Sequence, residues 1–444
     1  MKPPVIVIPG ITATDLRDYY PLDPERIWGL PLTRDYRRVA LHPDDLRFEQ
    51  LEPAQVRADQ AAGIAYDEYV KELRHDLTRN PDRPRPVHVF GYDWRQPLTA
   101  TVRVLEEFVE EVVRRTKLLP HYHAANYRDD PAVDLVGHSM GGLLIAGYLQ
   151  RTNRRRVRKI VTLGTPFRGS FEAVLQIITG TAQLGGGVPS SREREVARVT
   201  PGVYHLLPDI PGRVLRDDAS LPRSLFDEGL WQQGVIDSIA THIRRFSLRA
   251  PDTDRELERA AVEFLEKRLT DAREYRELTE STDLEDAGLT PDDWLAIVGV
   301  GDETRVQLFV QAPEEEGERP RFDLRSADRR NQYPDPENDD VQFDTGDGTV
   351  PYLSALPTFL PDETPVLVSP DDWGYWEQGL IRWFTGLHGL LPRMNRVIKL
   401  SAAFLNGEAG QKAQAHAGIQ GRPPIGMDPD DWDPPFVGLE NAEE

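Results

Sequence analysis

The sequence predicts an α/β fold, in which a mostly parallel β-sheet carries helices on both of its faces. Five short apolar runs have the length and composition of buried strands: 5–11, 133–137, 159–163, 294–301 and 365–368. Amphipathic helical patterns at 65–78 and 101–118 lie between the first two runs. Strands that alternate with helices favour parallel pairing, because each helix returns the chain to the same end of the sheet.

Composition narrows the class of protein. The chain has 444 residues, of which 39% are hydrophobic and 29% charged, enough for one large domain with insertions or for two domains. It contains no cysteine, which excludes disulfides, thiolate catalysis and cysteine-bound metals. A formal net charge of −21 argues against nucleic acid as a partner and against purely electrostatic docking on anionic lipid.

The chemistry-bearing motif is Gly-His-Ser-Met-Gly at 137–141, directly after the apolar run at 133–137. A helix-compatible stretch follows at once, so the motif has the strand–turn–helix setting of a nucleophile elbow. In such an elbow the serine occupies a strained turn, and its neighbours need almost no side chain. We therefore expect Ser139 to be a nucleophile. The alternative is a glycine-rich turn whose serine only caps the following helix.

A serine hydroxyl needs a base to take its proton, and the base needs a carboxylate to fix its tautomer. In sheet-based hydrolases the chain order is serine, acid, histidine. Late in the chain lie His388, in a glycine-flanked loop, and His416, in a tail of disordered composition, so His388 is the expected base. Asp347, between two glycines, is the expected acid, and Asp344 is the fallback.

Two backbone N–H groups are expected to stabilise the oxyanion. The strand at 5–11 contains a Pro-Gly turn, which can present the N–H of Ile11 to the neighbouring strand's site. The N–H of Met140, directly after the nucleophile, is the second donor. We expect no cofactor and no metal, although a calcium or magnesium site remains an alternative for the acidic loop. Its four carboxylates would be Asp339, Asp340, Asp344 and Asp347.

Seven short segments occur in one order along the chain. They are Pro-Gly at 9–10, Tyr-Asp-Trp-Arg at 92–95, Gly-His-Ser-Met-Gly-Gly at 137–142, Leu-Gly-Thr-Pro at 163–166, Gly-Val-Gly at 299–301, Gly-Asp-Gly-Thr-Val-Pro at 346–351 and Leu-His-Gly at 387–389. This order resembles the lecithin:cholesterol acyltransferase family, with its phospholipid:diacylglycerol acyltransferase and lysosomal phospholipase A2 relatives. The resemblance implies an α/β-hydrolase fold with an inserted cap or lid.

The resemblance also implies roles for individual residues. Ser139, Asp347 and His388 would be nucleophile, acid and base, and Ile11 would carry an oxyanion N–H. Tyr92 and Trp94 would lie near the acyl pocket, and the stretch at 200–208, with Leu206, resembles part of a flexible lid. The animal members have disulfides and a cysteine beside the oxyanion turn, whereas this chain has Ile11 there.

The expected function is hydrolysis or transfer of an acyl group from a lipid-like ester through a serine acyl-enzyme. The alternatives are an esterase or thioesterase on a non-lipid acyl substrate, and a catalytically idle scaffold used for binding. A lipid or other acyl ester is the expected partner, with transient contact to a membrane surface. No apolar run spans a bilayer, and the start of the chain does not resemble a signal peptide, which predicts a cytoplasmic location.

Four regions are predicted along the chain. Residues 1–169 form the first part of the sheet domain, 170–290 a cap insertion, 291–405 the second part of the sheet domain, and 406–444 a disordered acidic tail. Residues 13–60 have a loop-rich composition, which fits either an excursion over the site or a surface insertion. Apolar positions at 306–310 and 321–324 predict a hairpin.

Overall fold

A computed structural model describes residues 2–29, 33–44, 55–151, 156–181, 189–315, 318–326, 343–373, 386–407 and 421–432. Six strands form a central sheet in which every neighbouring pair is parallel. In spatial order they are β13 (Val366–Val368), β10 (Trp294–Gly299), β8 (Val157–Leu163), β7 (Val133–His138), β1 (Val5–Ile8) and β6 (Val87–Val89). The predicted parallel sheet is therefore confirmed.

The central strands are buried on both faces, which explains why they read as continuous apolar runs rather than as alternating ones. In β1, Ile6 and Ile8 join the hydrophobic core on one face, whereas Val5 and Val7 join the core on the other. The register places β1 between β6 and β7, with Val7 opposite both Val89 and Val136. Strand β1 thus lies beside the strand that leads into the elbow.

Helices cover both faces, as predicted. On the Val5 face lie α2 (Gly63–Leu77) and α12 (Asn395–Asn406), and on the Ile6 face α3 (Leu98–Thr116) and α5 (Met140–Arg151). The remaining helices are α1 (Tyr36–Val39), α4 (Pro120–Ala124), α6 (Phe171–Thr179), α7 (Ser191–Val199), α8 (Pro201–Tyr204), α9 (Gln233–Phe246), α10 (Asp254–Glu280) and α11 (Tyr352–Ala355). Short 3₁₀ helices lie at Glu228–Leu230, Pro291–Asp293, Pro370–Asp372, His388–Arg393 and Pro429–Asp431.

Two smaller sheets lie outside the central one. The stretch after the Pro-Gly turn forms an antiparallel sheet of β2 (Thr14–Asp18), β3 (Glu25–Gly29), β4 (Thr33–Arg34) and β5 (Val56–Ala61). The sequence did not predict these strands, because they are short and carry many charged residues. A second sheet joins β9 (Val214–Arg216) to the confirmed hairpin of β11 (Arg305–Gln311) and β12 (Arg321–Ser326).

The block at 170–290 shares a hydrophobic core with the sheet. Leu265 and Leu269 of α10 belong to the same buried cluster as Leu143 of α5 and Ile160 of β8. Tyr275 of α10 donates a hydrogen bond from its hydroxyl to the Leu143 carbonyl at 2.8 Å. The division into core, cap and tail at 169, 290 and 405 stays a proposal.

The chain beyond Asn406 differs in part from the expected disordered tail. Residues 421–432 lie against β13, where Arg422 and Leu367 exchange two backbone hydrogen bonds of 2.9 and 2.8 Å. The Trp432 indole N–H donates to the Pro365 carbonyl at 3.3 Å. Composition alone predicted disorder here, because a strand-edge contact to Leu367 leaves no local pattern in a segment rich in glycine, proline and acidic residues.

Among the helices that the structure describes, none has both the length and the apolar character that crossing a bilayer requires.

Candidate active site

Ser139 lies in the sharp turn between the end of β7 at His138 and the start of α5 at Met140. Its φ of 55° is in the left-handed region, which a non-glycine residue adopts only at a cost. A Cβ on Gly137 would lie 2.6 Å from the Gly142 nitrogen, and one on Gly141 would lie 2.3 Å from the Ile8 carbonyl oxygen. The turn therefore requires glycine on both sides of the serine, as the motif predicted.

The structure brings the three predicted residues together in one hydrogen-bonded chain. The Ser139 Oγ lies 2.9 Å from Nε2 of His388, and Nδ1 of His388 lies 2.6 Å from Oδ2 of Asp347. They come from loops 249 and 41 residues apart in sequence. Ser139 is 6% exposed, His388 8% and Asp347 1%, so these three residues are almost fully removed from water.

Backbone hydrogen bonds to Oδ1 of Asp347 orient the other carboxylate oxygen, Oδ2, toward His388. Oδ1 accepts hydrogen bonds from the N–H groups of Thr349 at 3.0 Å and Val350 at 2.7 Å. A carboxylate is an acceptor only, so Oδ2 requires the proton of His388 to be on Nδ1. The lone pair of Nε2 then faces the Ser139 hydroxyl, which is the arrangement a general base needs.

Two further glycines leave room for the acid and the base. Gly164, at the end of β8, has φ 52°, and a Cβ there would lie 2.8 Å from Oδ2 of Asp347 and 3.2 Å from Nδ1 of His388. A Cβ on Gly299 of β10 would lie 2.6 Å from the Asp347 Cβ. The Asp347–His388 pair thus packs directly on the backbone at the carboxyl ends of two neighbouring strands.

The loop after β10 ties the acid loop to the base loop. The Asp302 N–H donates to the Gly346 carbonyl at 3.0 Å, and Oδ2 of Asp302 accepts from the Leu387 N–H at 3.0 Å. Thr304 Oγ1 accepts from the Gly348 N–H at 2.9 Å. Asp302 therefore contacts the backbone immediately before both Asp347 and His388.

The predicted oxyanion turn lies against the nucleophile. A Cβ on Gly10 would lie 3.0 Å from the Ser139 Cβ, so a side chain at this position would crowd the nucleophile. Met140 is the first residue of α5, where an N–H has no acceptor within its own helix. A helix N-terminus also favours negative charge. Ile11 and Met140 stay the expected oxyanion donors.

The alternatives to Asp347 and His388 are not at this site in the described residues. Asp344 forms an ion pair with Arg213, in the proposed cap. His416, Asp339 and Asp340 lie outside the described residues, and so do two of the four carboxylates of the alternative metal site.

Among the described residues, one cluster of side chains away from this site could hold a metal ion. Ligand atoms of Glu72, His75 and Asp76 lie within 4.8 Å of one another on α2. Glu72 and His75 are exposed to solvent and belong to a charged helix surface. Such groups are common without an ion.

Comparison with known proteins adds an independent observation. A family model described as lecithin:cholesterol acyltransferase matches residues 60–355, about two thirds of the chain. This chain belongs to the lecithin:cholesterol acyltransferase family. The matched region contains Ser139 and Asp347 and ends before His388. No curated protein matches the sequence.

A solved structure supports the fold of this family member. A chain of the Tle4–Tli4 complex is similar over 91% of this chain and 97% of its own length, with 17% identity and a TM-score of 0.59. The lin2722 product of Listeria innocua matches with 13% identity over 91% of this chain and 94% of its own, but with a TM-score of only 0.32. The chain has the α/β-hydrolase fold.

The Tyr-Asp-Trp-Arg segment at 92–95 forms a turn in which Tyr92, Trp94 and Arg95 are buried. The Tyr92 hydroxyl donates to the Pro9 carbonyl at 2.9 Å, so Tyr92 supports the predicted oxyanion turn. Trp94 is 2% exposed and packs on Trp28 with ring centroids 4.8 Å apart. Burial alone would raise the pKa of the Asp93 carboxyl, but the Arg95 guanidinium, 2.7 Å away, holds that pKa below its usual value.

The stretch at 200–208, which the resemblance likens to part of a flexible lid, is buried in this structure. All nine residues, including Leu206, are buried. The Leu98 N–H donates to Nε2 of His205 at 3.3 Å. Arg276 of α10 donates to the carbonyls of His205 and Leu207, each at 3.1 Å. That this segment is part of a lid stays a prediction. Contact of Tyr92, Trp94 and Leu206 with a substrate stays a proposal.

Sequence reasoning missed three residues that support the site. Asp302 directly follows the predicted strand at 294–301. Its position could have indicated a role at the site, because functional residues collect at the carboxyl ends of parallel strands. Gly164 lies in a segment that carried the resemblance, but its clearance role requires the neighbouring Asp347. Tyr66 lies on a helix and has no local signal, because its partners are Gly10 and His138.

Proposed function

We propose that this chain is a serine acyl-ester hydrolase or O-acyltransferase that acts on lipid-like esters. The observation that carries the proposal is the buried chain from Ser139 through His388 to Asp347, located at a nucleophile elbow. Membership of a family of lipid acyltransferases supports a lipid-like ester as substrate. The sequence-based expectations of a cytoplasmic location and of transient membrane contact remain predictions.

Ser139 begins the reaction by attacking the carbonyl carbon of the ester. Its hydroxyl proton passes to Nε2 of His388 over the 2.9 Å contact, and the carbonyl electrons move onto the oxygen. The Asp347 carboxylate stabilises the imidazolium that forms, because it already accepts the Nδ1 proton. The N–H groups of Ile11 and Met140 would bind the oxyanion, each donor contributing about 3 kcal/mol to the barrier reduction.

Collapse of the tetrahedral intermediate releases the first alcohol. The bond from the acyl carbon to the leaving oxygen breaks, and that oxygen takes the proton from Nε2 of His388. The acyl group is then esterified to Ser139. Water or a second alcohol, deprotonated by His388, attacks this acyl-enzyme by the reverse sequence. Attack by water gives hydrolysis, and attack by an alcohol gives acyl transfer.

The test is incubation of the purified chain with acyl-labelled phospholipid, with and without a long-chain alcohol. We expect product from wild type and a loss of at least about 10³-fold in Ser139→Ala, because removal of the nucleophile removes the acyl-enzyme route. Ser281→Ala is the matched control, since Ser281 is an exposed serine at the end of α10. It should retain wild-type turnover.

The product identifies the reaction. Free fatty acid alone would indicate a phospholipase-like esterase, and a new ester with the alcohol would indicate a transferase. Turnover of a non-lipid acyl ester in place of phospholipid would change the substrate class. Equal turnover by wild type and Ser139→Ala would contradict the proposal as a whole.

A further inference from the structure

A second buried series of hydrogen bonds lies beside the Ser139–His388–Asp347 series and runs from Gly10 through Tyr66 and His138 to the backbone of His388. The Gly10 N–H donates to the Tyr66 hydroxyl oxygen at 2.9 Å. That hydroxyl lies 2.6 Å from Nδ1 of His138, and Nε2 of His138 lies 3.0 Å from the His388 carbonyl oxygen. Tyr66 is 2% exposed and His138 5%, so water does not compete for these bonds.

The proton positions in this second series follow from the acceptor at its end and from a neutral His138 imidazole. The Gly10 N–H can only donate, and the His388 carbonyl can only accept. Nε2 of His138 therefore carries the proton that goes to the His388 carbonyl. In a neutral imidazole Nδ1 is then an acceptor, and the Tyr66 hydroxyl donates its own proton to it. This order requires a neutral imidazole. Burial, together with the nearby His388, lowers the pKa of His138 to about 3, and burial raises the pKa of Tyr66.

This second series of hydrogen bonds connects three loops that take part in the reaction. Gly10 precedes Ile11, the expected oxyanion donor, and His138 precedes the nucleophile Ser139. The third loop carries His388, whose ring centroid lies 5.0 Å from that of His138. The three contacts bridge sequence separations of 56, 72 and 250 residues, so local backbone preferences do not hold these loops together.

We propose that Tyr66 and His138 are a pair of positioning residues that hold the oxyanion turn and the base loop in register on either side of Ser139. The inference rests on the acyl-transfer function proposed above. Neither residue touches the reacting atoms in this scheme. Tyr66 holds the backbone before Ile11, and His138 holds the backbone of His388, so that donor and base reach the same tetrahedral carbon.

The experiment compares kcat and KM for ester hydrolysis in five forms of the full chain: wild type, Tyr66→Phe, Tyr69→Phe, His138→Gln and His138→Leu. Tyr66→Phe keeps the ring but removes the hydroxyl, and we expect kcat to fall by about tenfold or more with KM within about twofold. Tyr69→Phe is the matched control. Tyr69 is buried on the same helix three residues later, beside Ser401 rather than the site, and should keep wild-type kcat.

The His138 pair separates positioning from packing. A glutamine amide has an acceptor and a donor about as far apart as the two imidazole nitrogens, so it can accept from Tyr66 and donate to the His388 carbonyl. Leucine fills similar space and can do neither. We expect kcat of His138→Gln within about threefold of wild type, and that of His138→Leu at least about tenfold lower. Circular dichroism establishes that each variant is folded.

Each possible result has a distinct meaning. A folded Tyr66→Phe variant with wild-type kcat would overturn the inference. Equal losses of kcat in His138→Gln and His138→Leu would also overturn it. So would equal losses of kcat in Tyr66→Phe and Tyr69→Phe. If His138→Leu does not fold, the comparison of Tyr66→Phe with Tyr69→Phe still decides. Wild-type turnover that does not depend on Ser139 would instead overturn the proposed function, and this inference with it.

Discussion

At the scale of single residues, the site depends as much on absent side chains as on present ones. Ser139, Asp347 and His388 were predicted from a motif, from chain order and from flanking glycines, and the structure places them in hydrogen-bonding distance. Gly164 has no reactive group, yet it determines whether the acid and base can approach each other. Residues such as Gly164, which act by leaving space, are identified only once their neighbours in the fold are known.

Gly164→Ala provides a test at this scale. The new methyl group would lie 2.8 Å from Oδ2 of Asp347, so the Asp347–His388 pair must shift, and we expect kcat to fall on the order of 10²-fold. The matched control is Gly288→Ala, because Gly288 also has positive φ, at 66°, but no atom lies within 4 Å of its Cβ position. Gly288→Ala should lower stability by about 1 kcal/mol and leave kcat unchanged. Equal kcat values for the two variants would contradict the clearance argument.

At the scale of elements, the long helix α10 joins the block at 170–290, the proposed cap, to the carboxyl end of the sheet. Arg276 of α10 is 3% exposed and donates to the carbonyls of Phe167, at 2.7 Å, and of His205 and Leu207. Burial lowers the pKa of Arg276 to about 10, so the guanidinium remains charged at neutral pH. One buried cation thus satisfies carbonyls from the loop after β8 and from the segment at 200–208.

Arg276→Met should therefore destabilise the whole chain. It keeps most of the apolar volume but leaves three buried carbonyls without that donor, and we expect the free energy of unfolding to fall by about 3 kcal/mol. Arg273→Met, three residues earlier and exposed, should change it by less than about 0.5 kcal/mol. Urea unfolding followed by circular dichroism measures both. A similar small effect in the two variants would mean that Arg276 does not hold these segments.

At the scale of the whole molecule, buried histidines make stability dependent on pH. Burial lowers the pKa of His138 and of His205 to about 3, below the value of about 6.5 for an exposed histidine. Because these pKa values are lowered on folding, their contribution is complete above pH 6.5 and is lost as the pH falls below it, when only the unfolded chain binds the protons. The loss is about 1.4 kcal/mol per histidine for each pH unit between 6.5 and 3.

Replacing one buried histidine should remove its share of this loss. We expect the decrease in the free energy of unfolding between pH 6.5 and pH 5 to be smaller by about 2 kcal/mol in His205→Gln than in wild type. Glutamine keeps an acceptor for the Leu98 N–H but does not titrate. His75→Gln is the control, since the His75 side chain is 84% exposed, and it should show the wild-type decrease. Urea titrations at the two pH values provide the comparison.

The sequence by itself determined the parallel sheet, the helices on its faces, the elbow and the three residues at its centre. These features carry local signals: apolar runs of strand length, helical periodicity, glycines around a serine and a fixed chain order. Strands β2 to β5 form a sheet that the sequence did not reveal, because these short charged strands are stabilised by pairing with each other rather than by local preference.

Only the tertiary structure decided what surrounds the central residues. The contact of Tyr66 with Gly10 and His138, the anchoring of 200–208 by Arg276 and the packing of 421–432 on β13 all join residues far apart in sequence. Such contacts follow from how elements pack, and a hydrogen bond across 250 residues has no periodicity or spacing that a sequence can display. Local chemistry therefore predicted which residues would meet, whereas packing determined how they are held.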